Sequence, residues 1–213
     1  MEKHKTFESN QDQVRARYNF LARYHDALGR LTMTHRRESI EALDVRPGQV
    51  VLDLACGAGA NFEPIRRRLG SGGKLVGLDY TPGMLQQARK RIMCNGWKNV
   101  HLLRGDSAVL PFRNCTYDRI ICTYALKVIP PFYETLDEIN RVLKPEGIFV
   151  TLDGKPSGRP DRFINRIILW MARKGPMSDL SRPLIEEIKA RFESLKTQEY
   201  VFGHTFIAIA RKQ

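Results

Sequence analysis

The sequence predicts an α/β fold: a doubly wound, mostly parallel sheet of seven strands, with a C-terminal antiparallel hairpin and an N-terminal helical cap. Three observations carry this expectation. Short apolar runs alternate with helical patterns from Gln49 to Gly154, and such alternation builds parallel strands joined by right-handed crossovers. The first, QVVLDLA, reads as a continuous apolar run, as a strand covered on both faces must. Near the C-terminus the rhythm breaks into two strand-like runs with little between them, which reads as a hairpin at one sheet edge.

The elements follow in order. Apolar residues at helical spacing (Val14, Tyr18, Leu21, Tyr24, Leu28) begin a cap over residues 1–44, and the α/β domain is expected over 45–213. QVVLDLA (49–55) is the first strand, and NFEPIRRRLG is a short helix ended by Gly70. KLVGLDY (74–80) is the second strand, before a helix with Pro82 in its first turn and a breaker at Asn95-Gly96. NVHLLRGD (99–106) and YDRIICTYA (117–125) are the third and fourth. Pro130 and Pro131 open a helix running to Leu143, and the KPEG turn leads into IFVTLDG, the fifth. A linker, KPSGRP, precedes helices at 161–173 and 183–192, and SLKTQEYV and HTFIAIARK make the hairpin.

Composition bounds the function. A chain of 213 residues, 42% of them hydrophobic, makes one ordinary domain with a real core. Its net charge of +12 fits an acidic partner (nucleic acid, an anionic membrane surface or an anionic substrate) or simply a solvated basic surface. The start is polar without an apolar segment of secretory type, and the longest apolar run, FINRIILWMA, is too short to span a bilayer. Cys56, Cys94, Cys115 and Cys122 lack the spacing and histidine partners of a metal site. Reduced, buried thiols in a cytoplasmic protein, with no bound metal, are expected.

The first strand ends in VLDLACGAG, where Ala55, Gly57 and Gly59 leave almost no side chains on the turn. In an open parallel sheet, ligands sit beyond the carboxyl ends of the strands, and small residues there admit a ligand to the backbone. The third glycine of a dinucleotide turn is missing, since Phe62 stands in its place. Asp53 suits a cationic ligand better than a pyrophosphate. Asp79, ending the second strand, is placed for the two hydroxyls of a ribose. Asp106 ends the third, with Ser107 beside it, where a carboxylate could take an adenine amino group, and Met84 offers an apolar contact for the adenine face.

Together these features resemble the class I S-adenosylmethionine-dependent methyltransferases, which have a Rossmann-like fold. The resemblance covers residues 45–153 in five ordered motifs: VLDLACGAG, LVGLDYTPGMLQQAR, GDSAVLPF, YDRIICTYAL and EINRVLKPEGIFV. It implies S-adenosyl-L-methionine as cofactor, with contacts at Asp53, Ala55, Gly57, Gly59, Asp79, Tyr80, Met84, Asp106, Ser107, Thr123 and Leu126. Two departures stand out, because Ala55 and Glu146 occupy positions where that family usually has glycine.

The acceptor is less legible. The Asn/Asp-Pro-Pro-Tyr/Phe pattern of nucleic-acid amino methylation is absent, as is the Pro-Cys pair of RNA cytosine methylation. Nucleic acid is therefore disfavoured as substrate. Tyr24 and His25 in the cap are the expected acceptor-positioning residues, and Lys127 is a candidate contact for an anionic head group. The segment RPDRFINRIILWMARKG puts Arg162, Arg166 and Arg173 on one helical side and apolar residues with Trp170 over the rest. Such a helix lies on an anionic membrane or closes a substrate cavity, and both suit an apolar acceptor. The motifs are similar to those of menaquinone and ubiquinone C-methyltransferases, and the GAGANF turn to small phospholipid and thiol methyltransferases. An apolar small-molecule or lipid acceptor is expected. An RNA methyltransferase and a catalytically silent cofactor-binding subunit are the alternatives.

Overall fold

The computed structural model describes residues 33–154, 182–200 and 204–213. Seven strands form one sheet in the order β3-β2-β1-β4-β5-β7-β6. The strands are β1 (Val50–Leu54), β2 (Lys74–Asp79), β3 (Val100–Arg104), β4 (Tyr117–Thr123), β5 (Leu143–Gly154), β6 (Ser194–Tyr200) and β7 (Thr205–Arg211). The first five pair in parallel, while β7 runs antiparallel to both β5 and β6. This is the expected mostly parallel sheet with its C-terminal hairpin. The order reverses between β1 and β4, leaving a crevice above that point for a ligand.

Helices cover both faces. On one lie α1 (Met33–Ala42), α2 (Phe62–Leu69) and α3 (Pro82–Cys94), and on the other α4 (Phe132–Val142) and α5 (Leu184–Arg191). The sequence explains the docking. In α2, Phe62, Ile65 and Leu69 recur at helical spacing and are fully buried, while Arg67 faces water. In α4, Phe132, Leu136, Ile139 and Val142 make the corresponding stripe. Burying each such side chain contributes roughly 1.5–3 kcal/mol. Val51, Leu52, Leu54, Ile120, Ile121 and Cys122 are buried too, so β1 and β4 are apolar on both sides.

Several expectations change in detail. β3 ends at Arg104, so Asp106 and Ser107 stand in the loop beyond the strand. The KPEG turn is absorbed into β5 as an irregularity: Tyr117 pairs with Leu143, but Arg119 pairs with Ile148. Cys56 and Cys122 are buried as expected, whereas Cys94 and Cys115 are exposed. Lys127, the candidate head-group contact, is buried, at 3% exposure. Its backbone N–H donates to Asp153 Oδ2, and its Nζ lies 5.8 Å from the centre of the Phe206 ring. Of the cap expected over 1–44, only the part from Met33 falls within the described residues. The helix expected at 161–173 also lies outside them.

Candidate active site

An open cavity of about 140 Å³ lies at the carboxyl ends of β1, β2 and β4 and against the loop after β3. The β1 turn supplies Ala55, Gly57 and Ala60, while β2 and the start of α3 supply Asp79, Tyr80, Thr81 and Met84. Asp106 and Ser107 close the next side, and Thr123 and Tyr124 the floor near β4. The far wall, Ala125 and Val128–Pro131, is apolar. Arg36 enters from α1.

Backbone chemistry shapes the turn. Ala55, Gly57 and Gly59 all have positive φ, at 52°, 54° and 78°. Gly57 donates its N–H to Asp79 Oδ2 at 2.8 Å, and Thr81 donates its N–H to Asp79 Oδ1 at 2.8 Å. Asp79 is thus held rigidly, yet each carboxylate oxygen keeps a lone pair for a ligand hydroxyl. Burial pushes its pKa up, and those two N–H donors pull the other way. Ser107 Oγ lies 3.0 Å from Thr135 Oγ1, which ties the loop after β3 to α4. Asp106 Oδ1 accepts the Ala108 N–H at 2.9 Å.

Beneath the cavity lies a polar network that the sequence did not announce. Arg36 Nη1 donates to Thr123 Oγ1 at 2.5 Å and to Asn61 Oδ1 at 3.1 Å. Asn61 Nδ2 donates to Asp53 Oδ1 at 3.0 Å and to Thr123 Oγ1 at 3.1 Å. The Arg36 guanidinium also covers the Tyr124 ring, 5.2 Å from its centre. Asp53 is fully buried, and its Oδ2 has no hydrogen-bond partner among the described residues. Burial pushes its pKa up to about 7, against the Asn61 hydrogen bond and the Arg36 charge.

The cavity brings together Ala55, Gly57, Asp79, Tyr80, Met84, Asp106, Ser107 and Thr123. Three other expected contacts stand back from its wall. Asp53 reaches it through Asn61 and Thr123, and Leu126 is fully buried in the core. Gly59 has a packing reason for its missing side chain, since a Cβ there would lie 2.5 Å from the Phe62 ring. Tyr24 and His25 lie outside the described residues. Arg36, Asn61 and Tyr124 were missed. A polar side chain on a helix gives no period, and the bonds that define these three span 25 and 87 residues of sequence.

A family model described as a methyltransferase domain matches residues 46–208. The chain belongs to the methyltransferase domain family. The demethylmenaquinone methyltransferases of Bacillus cereus and Bacillus anthracis are 33% identical to it over 118 residues, 55% of this chain and 50% of theirs. The chain therefore spans about half the length of the curated relatives it matches. Among solved structures, a methyltransferase in complex with the Haloferax volcanii Trm112 activator superposes with a TM-score of 0.79 at 19% identity, covering 93% of this chain and 96% of that one. A geranyl diphosphate C-methyltransferase from Streptomyces coelicolor, crystallised with Mg2+, geranyl diphosphate and S-adenosyl-L-homocysteine, gives 0.70 at 15% identity, covering 86% and 80%. A SAM dependent methyltransferase from Aquifex aeolicus gives 0.66 at 20%, covering 84% and 89%. These likenesses establish the fold.

The two departures from the family's glycines now have a geometry. Ala55 (φ 52°) and Glu146 (φ 59°) both keep the left-handed backbone that glycine adopts freely. The backbone shape is retained although the residue best suited to it is not.

Proposed function

We propose that this chain binds S-adenosyl-L-methionine in the cavity and transfers its methyl group to an apolar small molecule or lipid-like acceptor of quinol type. The observation that carries this reading is the alignment of Asp79, Asp106 and the bare β1 turn around one cavity with an apolar far wall. Kinship with the demethylmenaquinone methyltransferases supports the quinol class.

The residues present fit this cofactor. Asp79 would take the ribose hydroxyls, Met84 and Tyr80 the adenine faces, and Asp106 with Ser107 the adenine edge. Ala55 and Gly57 would let the methionine chain lie against the backbone. Arg36, permanently charged and fixed by Thr123 and Asn61, would meet the methionine carboxylate. Asp53 Oδ2, without a hydrogen-bond partner among the described residues, would set negative potential beneath the ammonium end once the carboxyl is ionised. When bound, the cofactor supplies a methyl carbon on a positively charged sulfur, open to displacement by the acceptor.

The protein's part in such a displacement is alignment and exclusion of water. Ala125 and Val128–Pro131 present an apolar wall to the acceptor, and Tyr124 a ring held face-on by Arg36. Tyr24 and His25 remain our candidates for acceptor positioning, and the basic, Trp-containing segment 161–174 for contact with an anionic membrane. No helix among the described residues is long and apolar enough to cross a membrane.

The reading is tested by incubating the protein with methyl-labelled cofactor and a reduced naphthoquinone, phosphatidylethanolamine vesicles, an alkyl thiol or total RNA in parallel. Label in the quinol or lipid is the expected result. Label in RNA alone would overturn the acceptor class, and label in none would favour a silent cofactor-binding subunit.

A further inference from the structure

Between Arg66 and Lys98 the chain carries eight Lys and Arg residues and one carboxylate, Asp79, which is buried at the cavity. The fold collects these cations at one corner. Arg66–Arg68 end α2, Lys74 opens β2, Arg89 and Lys90 lie on the outward side of α3, and Lys98 follows that helix. Trp97 and Asn99 hold the corner together. The Arg66 guanidinium lies over the Trp97 ring, 5.6 Å from its centre. Asn99 Nδ2 donates to Gly70 O at 2.9 Å and to Gly73 O at 3.1 Å. The ends of α2 and α3 and the start of β2 thus meet at the amino ends of the strands, the side of the sheet opposite the cavity.

Helix polarity accounts for part of this charge, because cations in the last turn of α2 and of α3 complement the helix dipole. It does not account for Lys74, Arg89, Lys90 and Lys98. All four are exposed, and none makes an ion pair among the described residues. Arg67 pairs with Glu63, and Arg68 with Glu41 at 3.9 Å, but these are solvent-facing pairs that an incoming anion can replace. Apolar surface is scarce here: Met93 is the one large hydrophobic side chain exposed on this corner among the described residues. A protein interface needs a desolvated apolar core, and an inserted membrane helix needs apolar anchors. Neither is present.

We propose that this corner is a docking surface for nucleic acid, gripped through its phosphate backbone without reading its bases. Spaced Lys and Arg side chains, with exposed carboxylates only at the Glu41 and Glu63 edge, suit a regular polyanion. The surface lies away from the cavity, so it tethers the protein rather than presenting an acceptor. It is independent of the acceptor class proposed above.

Binding of a labelled uridine oligonucleotide, followed by fluorescence anisotropy across a salt series, tests this. The charge-reversed triple variant Arg89→Glu, Lys90→Glu, Lys98→Glu is compared with wild type and with the Gln triple variant, which guards against misfolding. S-adenosyl-L-homocysteine affinity serves as the check that each variant is intact. The expected result is at least about tenfold weaker oligonucleotide binding by the Glu variant near 0.1 M salt. Its log–log salt slope should be shallower by about 2, from three lost phosphate contacts at roughly 0.7 each. Equal binding by variant and wild type would overturn the proposal. So would absence of binding by wild type at low salt, or capture by phosphatidylserine vesicles with none by the oligonucleotide.

Discussion

Arg36 Nη1 lies 2.5 Å from Thr123 Oγ1, joining helix α1 to the carboxyl end of β4 across 87 residues of sequence. With Asn61 accepting a second bond from the same nitrogen, the guanidinium is held at the cavity in one orientation. Arg36→Gln is expected to weaken S-adenosyl-L-homocysteine binding at least about tenfold, because a hydrogen bond to a charged group contributes roughly 1.5–3 kcal/mol. Arg36→Lys should recover little, since an ammonium cannot hold Thr123 and Asn61 in the same fork. Isothermal calorimetry measures both, and unchanged affinity in the Gln variant would remove Arg36 from the cofactor site.

Asp79 carries a structural and a binding role at once. Replacement by Asn keeps a side-chain acceptor for the Gly57 or Thr81 N–H, while replacement by Ala leaves both N–H groups without it. Cofactor affinity should fall by roughly 1–3 kcal/mol in either variant. Thermal denaturation should separate them, with Ala melting well below Asn.

Asp53 gives the site a pH signature. Its pKa is raised from 3.8 to about 7 by burial, so between these values the folded chain keeps a proton that the unfolded chain has released. The stability this group contributes is full below about pH 4 and is lost as pH rises through 7. Asp153, buried and raised to about 6, acts with the same sign. The melting temperature of Asp53→Asn should therefore climb relative to wild type between pH 5 and pH 8. A constant difference across that range would show that Asp53 is already ionised in the folded protein at pH 5.

The β1 turn yields a pair of opposite outcomes. Ala55→Gly should stabilise the fold by about 1 kcal/mol, relieving a left-handed alanine at φ 52°. Gly59→Ala should destabilise it by more, because φ is 78° and the new methyl would meet the Phe62 ring at 2.5 Å. Urea denaturation of the two variants beside wild type reads both signs.

The sheet was legible because its central strands are buried on both faces and its helices repeat apolar residues at helical spacing. Those signals are local, and Val51–Leu54 or Phe62–Leu69 show them within a few residues. Asp79, Met84, Asp106, Ser107 and Thr123 were legible for a related reason: a strand end or early helix turn fixes where each stands, and the cavity brings them together. Arg36, Asn61 and Tyr124 were not, because their placement depends on tertiary approach between α1, the β1 turn and β4. Gly59 meets a second demand that its place in the turn does not reveal, since a Cβ there would lie 2.5 Å from the Phe62 ring.

The central claim is that this cavity holds S-adenosyl-L-methionine on its strand-end carboxylates. Calorimetric titration of ligand-free protein with S-adenosyl-L-methionine, S-adenosyl-L-homocysteine and NADH, repeated on Asp79→Ala, tests it most directly. The account predicts micromolar binding of the first two, none of NADH, and marked weakening in the variant. No binding of either adenosyl ligand to the folded wild-type protein would contradict it.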